Sequence, residues 1–151
     1  QLANFCYQEL QEGYQKKNLY RVLDRIQHVK YLNLAHNEIN KISSFSFPKC
    51  EYLNLNNNNF TSLKGLPKLR MIQYLTLKDN DIKDLDGLTM LRSTPIAELY
   101  LNGNPVVFSQ FYRQRVFSVL PGLKVLDGVF RLTSDLEPVE EENPQKTCNL
   151  M

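Results

Sequence analysis

Apolar and polar residues in this chain alternate in a pattern that keeps returning. Residues 29–45 (VKYLNLAHNEINKISSF), 50–66 (CEYLNLNNNNFTSLKGL) and 72–88 (IQYLTLKDNDIKDLDGL) share one template: apolar–x–x–Leu–x–Leu–x–x–Asn–x–apolar–x–x–apolar–x–x–apolar. It opens again at Ile96 (IAELYLNGN) and, cut short, at Leu123, so its first position recurs in steps of 21, 22, 24 and 27 residues. Two leucines two apart fit a short strand, where alternate side chains share a face. Leu32/Leu34, Leu53/Leu55, Leu75/Leu77 and Leu99/Leu101 then all point into one core, and the strands are predicted to lie side by side as a parallel sheet.

Three residues past each second leucine comes an asparagine: Asn37, Asn58, Asn80 and Asn104. A buried carboxamide there can donate to and accept from backbone groups that the turn off the sheet leaves unpaired. These four are predicted to form a structural ladder, one rung per coil. A fixed period in the twenties with this pattern is the signature of a leucine-rich repeat solenoid. The expected fold is therefore α/β: a curved parallel β-sheet, a helical or irregular convex side and a C-terminal capping helix.

The regular repeats span 29–103. Residues 1–28 read as a worn first repeat, with Ala3 and Phe5 in the paired-leucine places, Gln8 in the asparagine place and Leu10 after it. A rival phase would mark Tyr14 and Leu19 instead. Leu19, Val22, Leu23 and Ile26 recur at helical spacing, which predicts a convex helix over 18–27. After Asn104-Pro105 the pattern changes. Val107, Phe108, Phe111, Tyr112, Val116, Phe117 and Leu120 make a helical apolar stripe, with Arg113, Gln114 and Arg115 opposite. Residues 104–128 are thus read as a cap that shields the last coil, as solenoid ends require, completing a domain over 1–128. Residues 129–151 carry Glu137, Glu140, Glu141 and Glu142 together with Pro138 and Pro144 and read as an acidic tail, extended or docked on a partner.

With these residues in hand, the repeats with Asn-x-Ile-x-x-Leu-x-x-Leu resemble the short intracellular class typified by the regulatory subunit of protein phosphatase 1. The ending Asn104-Pro105, Phe111-Tyr112-Arg113, Val116 and Leu120-Pro121-Gly122-Leu123-Lys124-Val125-Leu126-Asp127-Gly128 is similar to the C-terminal cap of that class. Such caps also close the spliceosomal A-prime protein and the outer-arm dynein leucine-rich light chain. The resemblance covers about 29–128. It implies a scaffold that binds another protein, since members of the class hold unrelated partners.

Composition narrows the setting. A formal net charge of +2 over 151 residues gives no basic surface to argue for direct nucleic-acid contact, and no apolar run is long enough for a membrane span. Cys6, Cys50 and Cys148 are odd in number and far apart, which suits a reducing compartment. A cytoplasmic protein is expected, ciliary or nuclear sites being compatible, and the acceptor triplet Asn59-Phe60-Thr61 is discounted on that ground. Cys148-Asn149-Leu150-Met151 has the outline of a prenylation box, with Asn in place of the usual aliphatic residue and no polybasic run before it.

The concave face of such a scaffold is the expected binding surface. Its columns are Tyr31, Tyr52, Tyr74 and Glu98; then Asn33, Asn54, Thr76 and Tyr100; then Ala35, Asn56, Lys78 and Asn102. Tyrosine combines a large ring with a polar tip and is favoured at interfaces. The same rings could equally pack as ladders along the sheet. His28 and His36 have no nucleophile or metal-ligand set around them, and residues 78–87 (KDNDIKDLDG) fail the calcium-loop template, with Lys83 where an oxygen ligand belongs. No catalytic residue, cofactor or metal is therefore expected. The reading is a non-enzymatic interaction module, an adaptor or subunit of a larger assembly such as a ciliary or cytoskeletal one. A ribonucleoprotein subunit holding an RNA-binding partner and a phosphatase regulator are the alternatives.

Overall fold

The paired leucines set the spacing of the strands. A computed structural model describes residues 1–6 and 13–140. Its seven-stranded sheet runs in chain order: β1 (Leu2–Asn4), β2 (Tyr31–Asn33), β3 (Tyr52–Asn54), β4 (Tyr74–Thr76), β5 (Glu98–Tyr100), β6 (Val125–Leu126) and β7 (Val129–Phe130). Neighbours from β1 to β6 are parallel, and β7 turns back antiparallel to β6. Among the described residues two α-helices join them, α1 (Gly13–Arg25) and α2 (Tyr112–Val119), making a mixed α/β fold. The register places Ala3, Leu32, Leu53, Leu75, Leu99 and Leu126 in one row. The five leucines are fully buried, as are Leu34, Leu55, Leu77 and Leu101.

Each strand stops where the template turns. The residue before each ladder asparagine has a left-handed backbone: His36 (φ 60), Asn57 (φ 53), Asp79 (φ 57) and Gly103 (φ 76). Asn, Asp and His are enriched in that region, and Gly enters it without strain. Gly103 is needed for a second reason, since a Cβ there would collide with the Asp79 carboxylate.

The next residue bridges successive repeats. Asn58 Nδ2 donates to Leu34 O and Leu55 O, both at 3.0 Å, while its Oδ1 accepts from the N–H groups of Asn37 and Ile39. Asn37 Nδ2 reaches Phe5 O (2.7 Å) and Leu34 O. Asn80 reaches Leu55 O and Leu77 O, and Asn104 reaches Leu77 O and Leu101 O. Each carboxamide thus ties one sequence repeat to the one before it. Asn37, Asn58 and Asn104 are buried and Asn80 is half-buried.

Ala3 opposite Leu32 agrees with the first phase chosen for the N-terminus, whereas Tyr14 and Leu19 of the rival phase fall inside α1. Gln8 and Leu10 lie outside the described residues. The helix expected over 18–27 instead spans Gly13–Arg25, with Leu19 and Leu23 buried one turn apart and Val22 exposed.

The C-terminal end corrects three expectations. The cap helix is broken: a 3-10 turn, Pro105–Phe108, precedes α2, and Phe111 sits between them in a left-handed conformation (φ 57). Phe108 (89% exposed) and Phe111 (37%) consequently leave the apolar stripe, and the cap core is Tyr112, Val116, Phe117 and Leu120. Arg113, expected opposite that core, lies against the Phe117 ring and donates to Leu126 O and to both Asp135 oxygens, at 3.0 and 2.8 Å. The boundary drawn after 128 falls one residue before β7, and a 3-10 turn (Thr133–Leu136) then carries buried Asp135 under Arg113. The reason is electrostatic: a guanidinium facing several carbonyls recruits a carboxylate from the following segment. Glu137 and Glu140 are exposed; 141–151, with Cys148 and the prenylation outline, lie outside the described residues.

Three predictions test this frame. Asn58→Ala leaves the amides of Asn37 and Ile39 without their acceptor, so it should destabilise by about 3 kcal/mol or more in urea unfolding, and Asn80→Ala, on a half-exposed rung, by clearly less. Arg113→Ala strands a buried carboxylate and should cost about 3–5 kcal/mol. Hydrogen bonds from Arg113 hold the Asp135 carboxyl below its usual range despite burial. The stability gap between wild type and Asp135→Asn should therefore be full above about pH 5 and narrow on acidification through about pH 4 towards the lower folded value.

Candidate functional site

Strand residues between the buried leucines face away from the core, and parallel register lines them up. Tyr31, Tyr52, Tyr74 and Glu98 form one row, and Asn33, Asn54, Thr76 and Tyr100 the next. The rings touch in sequence, with centroids 6.1 Å apart for Tyr31–Tyr52, 4.7 Å for Tyr52–Tyr74 and 5.2 Å for Tyr74–Tyr100. Tyr52 and Tyr74 are stacked, 13° from parallel. The aromatic stripe changes rows at β5, where Glu98 takes the tyrosine place and Tyr100 leans over to continue it.

That end is tied down. The Tyr100 hydroxyl donates to Glu98 Oε2 at 2.9 Å, and Lys78 Nζ lies 4.7 Å from the Tyr100 ring centroid. Burial, followed by the hydrogen bond into Glu98, pushes the Tyr100 hydroxyl up to about 12. Burial, then the Tyr52 hydroxyl and Glu98, raises Tyr74 as well. These rings stay protonated and neutral at any physiological pH. Packing explains their spacing but not their exposure: Tyr31 is 46% exposed, and Tyr52, Tyr74 and Tyr100 are all half-buried. The rings therefore pack as a ladder along the sheet and remain partly open to solvent.

The polar residues of the face are less uniform. Asn33 and Asn54 are half-buried, and each carboxamide oxygen accepts the N–H two residues on, from Ala35 at 3.1 Å and Asn56 at 2.9 Å. Asn56 Oδ1 accepts from Lys78 N and from the Thr76 hydroxyl, while Asn102 is exposed. Two column residues are not presented. Thr76 is 2% exposed, because it is short, has Tyr100 beside it and turns its hydroxyl to Asn56; Ala35 is buried too. Asn4 was missed. It stands level with Asn33 on β1, and its Oδ1 accepts from Cys6 N in the same way. The signal lay in the worn repeat itself, since Asn4 falls between Ala3 and Phe5.

Elsewhere, reactive residue types are held in structural settings. The Cys50 thiol donates to Tyr52 O, and burial pushes it up to about 11, far from a reactive thiolate. His36 occupies a left-handed turn position and His28 is exposed. Asp81, Asp84 and Asp86 are exposed, Asp81 facing Lys83 and Asp86 facing Lys64. Among the described residues no group of three or more His, Cys, Asp or Glu could hold a metal ion, and no helix is long and apolar enough to cross a membrane.

No family model and no curated protein matches the chain. Solved structures do match, among them a chain of the "Structure of Chaetomium Mex67:Mtr2 subunits", with 25% identity over 58% of this chain and a TM-score of 0.44. The matched part spans about 60% of that chain's length.

Face and core should separate on mutation. Leu53→Ala opens a cavity under β3 and should cost about 2–5 kcal/mol. Tyr52→Ala removes two ring contacts at a half-exposed site and should cost about 1–2 kcal/mol. Thermal unfolding of the two variants measures the difference, and equal losses would mean that Tyr52 is as much core as Leu53.

Proposed function

We propose that the chain is a leucine-rich repeat solenoid that acts as a non-catalytic protein-binding module, engaging its partner on the sheet face that carries the tyrosine stripe. One observation carries the reading: four tyrosines pack ring to ring across β2–β5, yet Tyr31 is exposed and Tyr52, Tyr74 and Tyr100 are only half-buried. A stripe that served packing alone would gain by being covered, since each ring left in water forgoes apolar burial. Supporting the repeat architecture are the single strand per unit, the unbroken leucine rows and the asparagine bridges between successive coils. In this reading the chain is an adaptor or structural subunit of a larger intracellular assembly, and the scattered thiols support the compartment.

The test is affinity capture from native tissue with the wild-type chain and a Tyr31→Ala/Tyr52→Ala/Tyr74→Ala variant whose fold is checked by circular dichroism. The partners recovered by the wild type should be depleted at least tenfold with the folded variant. Recovery of the same partners at the same level would remove this face from the proposal.

A further inference from the structure

The amides beside the tyrosines are oriented, and their orientation specifies the chemistry of what binds. Asn4, Asn33 and Asn54 share one register across β1, β2 and β3. In each, the carboxamide oxygen is pinned by the backbone N–H two residues ahead, at 3.1, 3.1 and 2.9 Å. An N–H can bond only to the oxygen, so the amide cannot flip without losing that bond, and its NH2 group must turn away from the backbone. The row continues one step along at Asn56, whose oxygen takes two donors, Lys78 N at 2.8 Å and the Thr76 hydroxyl at 2.6 Å. None of these four NH2 groups has a hydrogen-bond partner among the described residues, and no buried side-chain nitrogen or oxygen is left unpaired. The NH2 groups of half-buried Asn33, Asn54 and Asn56 therefore meet solvent, and Asn4 is itself exposed.

The surroundings share that polarity. Tyr52 and Tyr74 lie face to face, so they show the ligand their edges, the positive part of the ring quadrupole. Lys78 adds a cation past Asn56. Glu98, with one oxygen already used by Tyr100, stands on β5, two strands beyond Asn54. From β1 to β3 each carboxamide oxygen in the row is turned to a backbone N–H, and the row presents its NH2 donors outward.

We propose that the partner on this face is an acidic helix laid across the strands. This rests on the protein-binding reading and adds the chemistry of the partner. Adjacent strands are about 4.8 Å apart, and side chains at i and i+3 or i+4 on a helix are about 5–6 Å apart. Carboxylates at that spacing can meet amides on successive strands, while the apolar residues between them lie on the tyrosine stripe, a helix-in-groove arrangement. Single-stranded RNA also offers anionic acceptors, but its recognition needs open ring faces for bases to stack on, and here the faces of Tyr52 and Tyr74 cover each other.

The test is selection from a displayed library of helical peptides with randomised surface positions, on the full chain. The affinities of the selected peptides are then measured for wild type, Asn33→Asp/Asn54→Asp and Tyr52→Ala. The Asp variant keeps the oxygen that accepts the backbone N–H, so its fold and melting temperature stay near wild type while the outward donor becomes an anionic acceptor. Selected helices should be enriched in Asp or Glu at i and i+3 or i+4, and should bind the Asp variant about tenfold or more weakly, as expected for lost charge-assisted hydrogen bonds. Helices without acidic enrichment, or indifferent to the Asp substitutions yet lost with Tyr52→Ala, overturn the donor-row proposal and leave the protein-binding reading standing. Failure to select any helix, or helices indifferent to Tyr52→Ala, overturns both. A labelled single-stranded polyuridine that binds and depends on the same amides replaces the protein partner with RNA.

Discussion

Everything in this fold hangs on a carboxamide reaching backward. A three-residue strand cannot hold its place by its own few hydrogen bonds, and the turn that ends it exposes carbonyls and amides that burial would otherwise penalise. Asn58 answers both problems at once, donating to carbonyls of its own and the preceding coil and accepting from the preceding turn. Asparagine is suited to it, having two donors and an acceptor on a short arm. An aspartate has no donors, and a glutamine is one methylene too long for the same bonds. Once the rungs are set, the leucine rows have no freedom to slip, and register passes from coil to coil.

Register is in turn what makes a surface. Tyrosines 21 or 22 residues apart in sequence become stacked neighbours because the same position of each unit lands on the same line. The rings hold one another in place in the free chain, so a partner of the kind proposed would meet a surface already ordered, at a lower ordering cost. The same repetition pins Asn4, Asn33 and Asn54 in one orientation. A face built this way is rigid and polar in a defined sense, with donors beside ring edges.

Periodic features were legible in the sequence because each recurs: the paired leucines and the asparagine rungs four times and the tyrosine of the column three times, with the cap beginning where that recurrence breaks. Features that occur once were not. Nothing in the spacing of Phe108 and Phe111 signals that a left-handed Phe111 breaks the helix between them. Arg113 reads as a solvent residue by helical phase, and its partner Asp135 lies 22 residues on, in a stretch whose glutamates suggest an open tail. The antiparallel β7 is two residues long and has no alternation to detect. Thr76 fits its column by position and fails it by size, a matter of neighbours that periodicity does not see.

The central claim is that the free chain holds its leucines inside one core and leaves its tyrosine stripe uncovered. Hydroxyl-radical footprinting of the native chain, read residue by residue by mass spectrometry, addresses it most directly. The account predicts strong labelling of Tyr31, intermediate labelling of Tyr52 and Tyr74, and protection of Leu32, Leu53 and Leu75. Tyrosines as protected as those leucines in the free chain would contradict it.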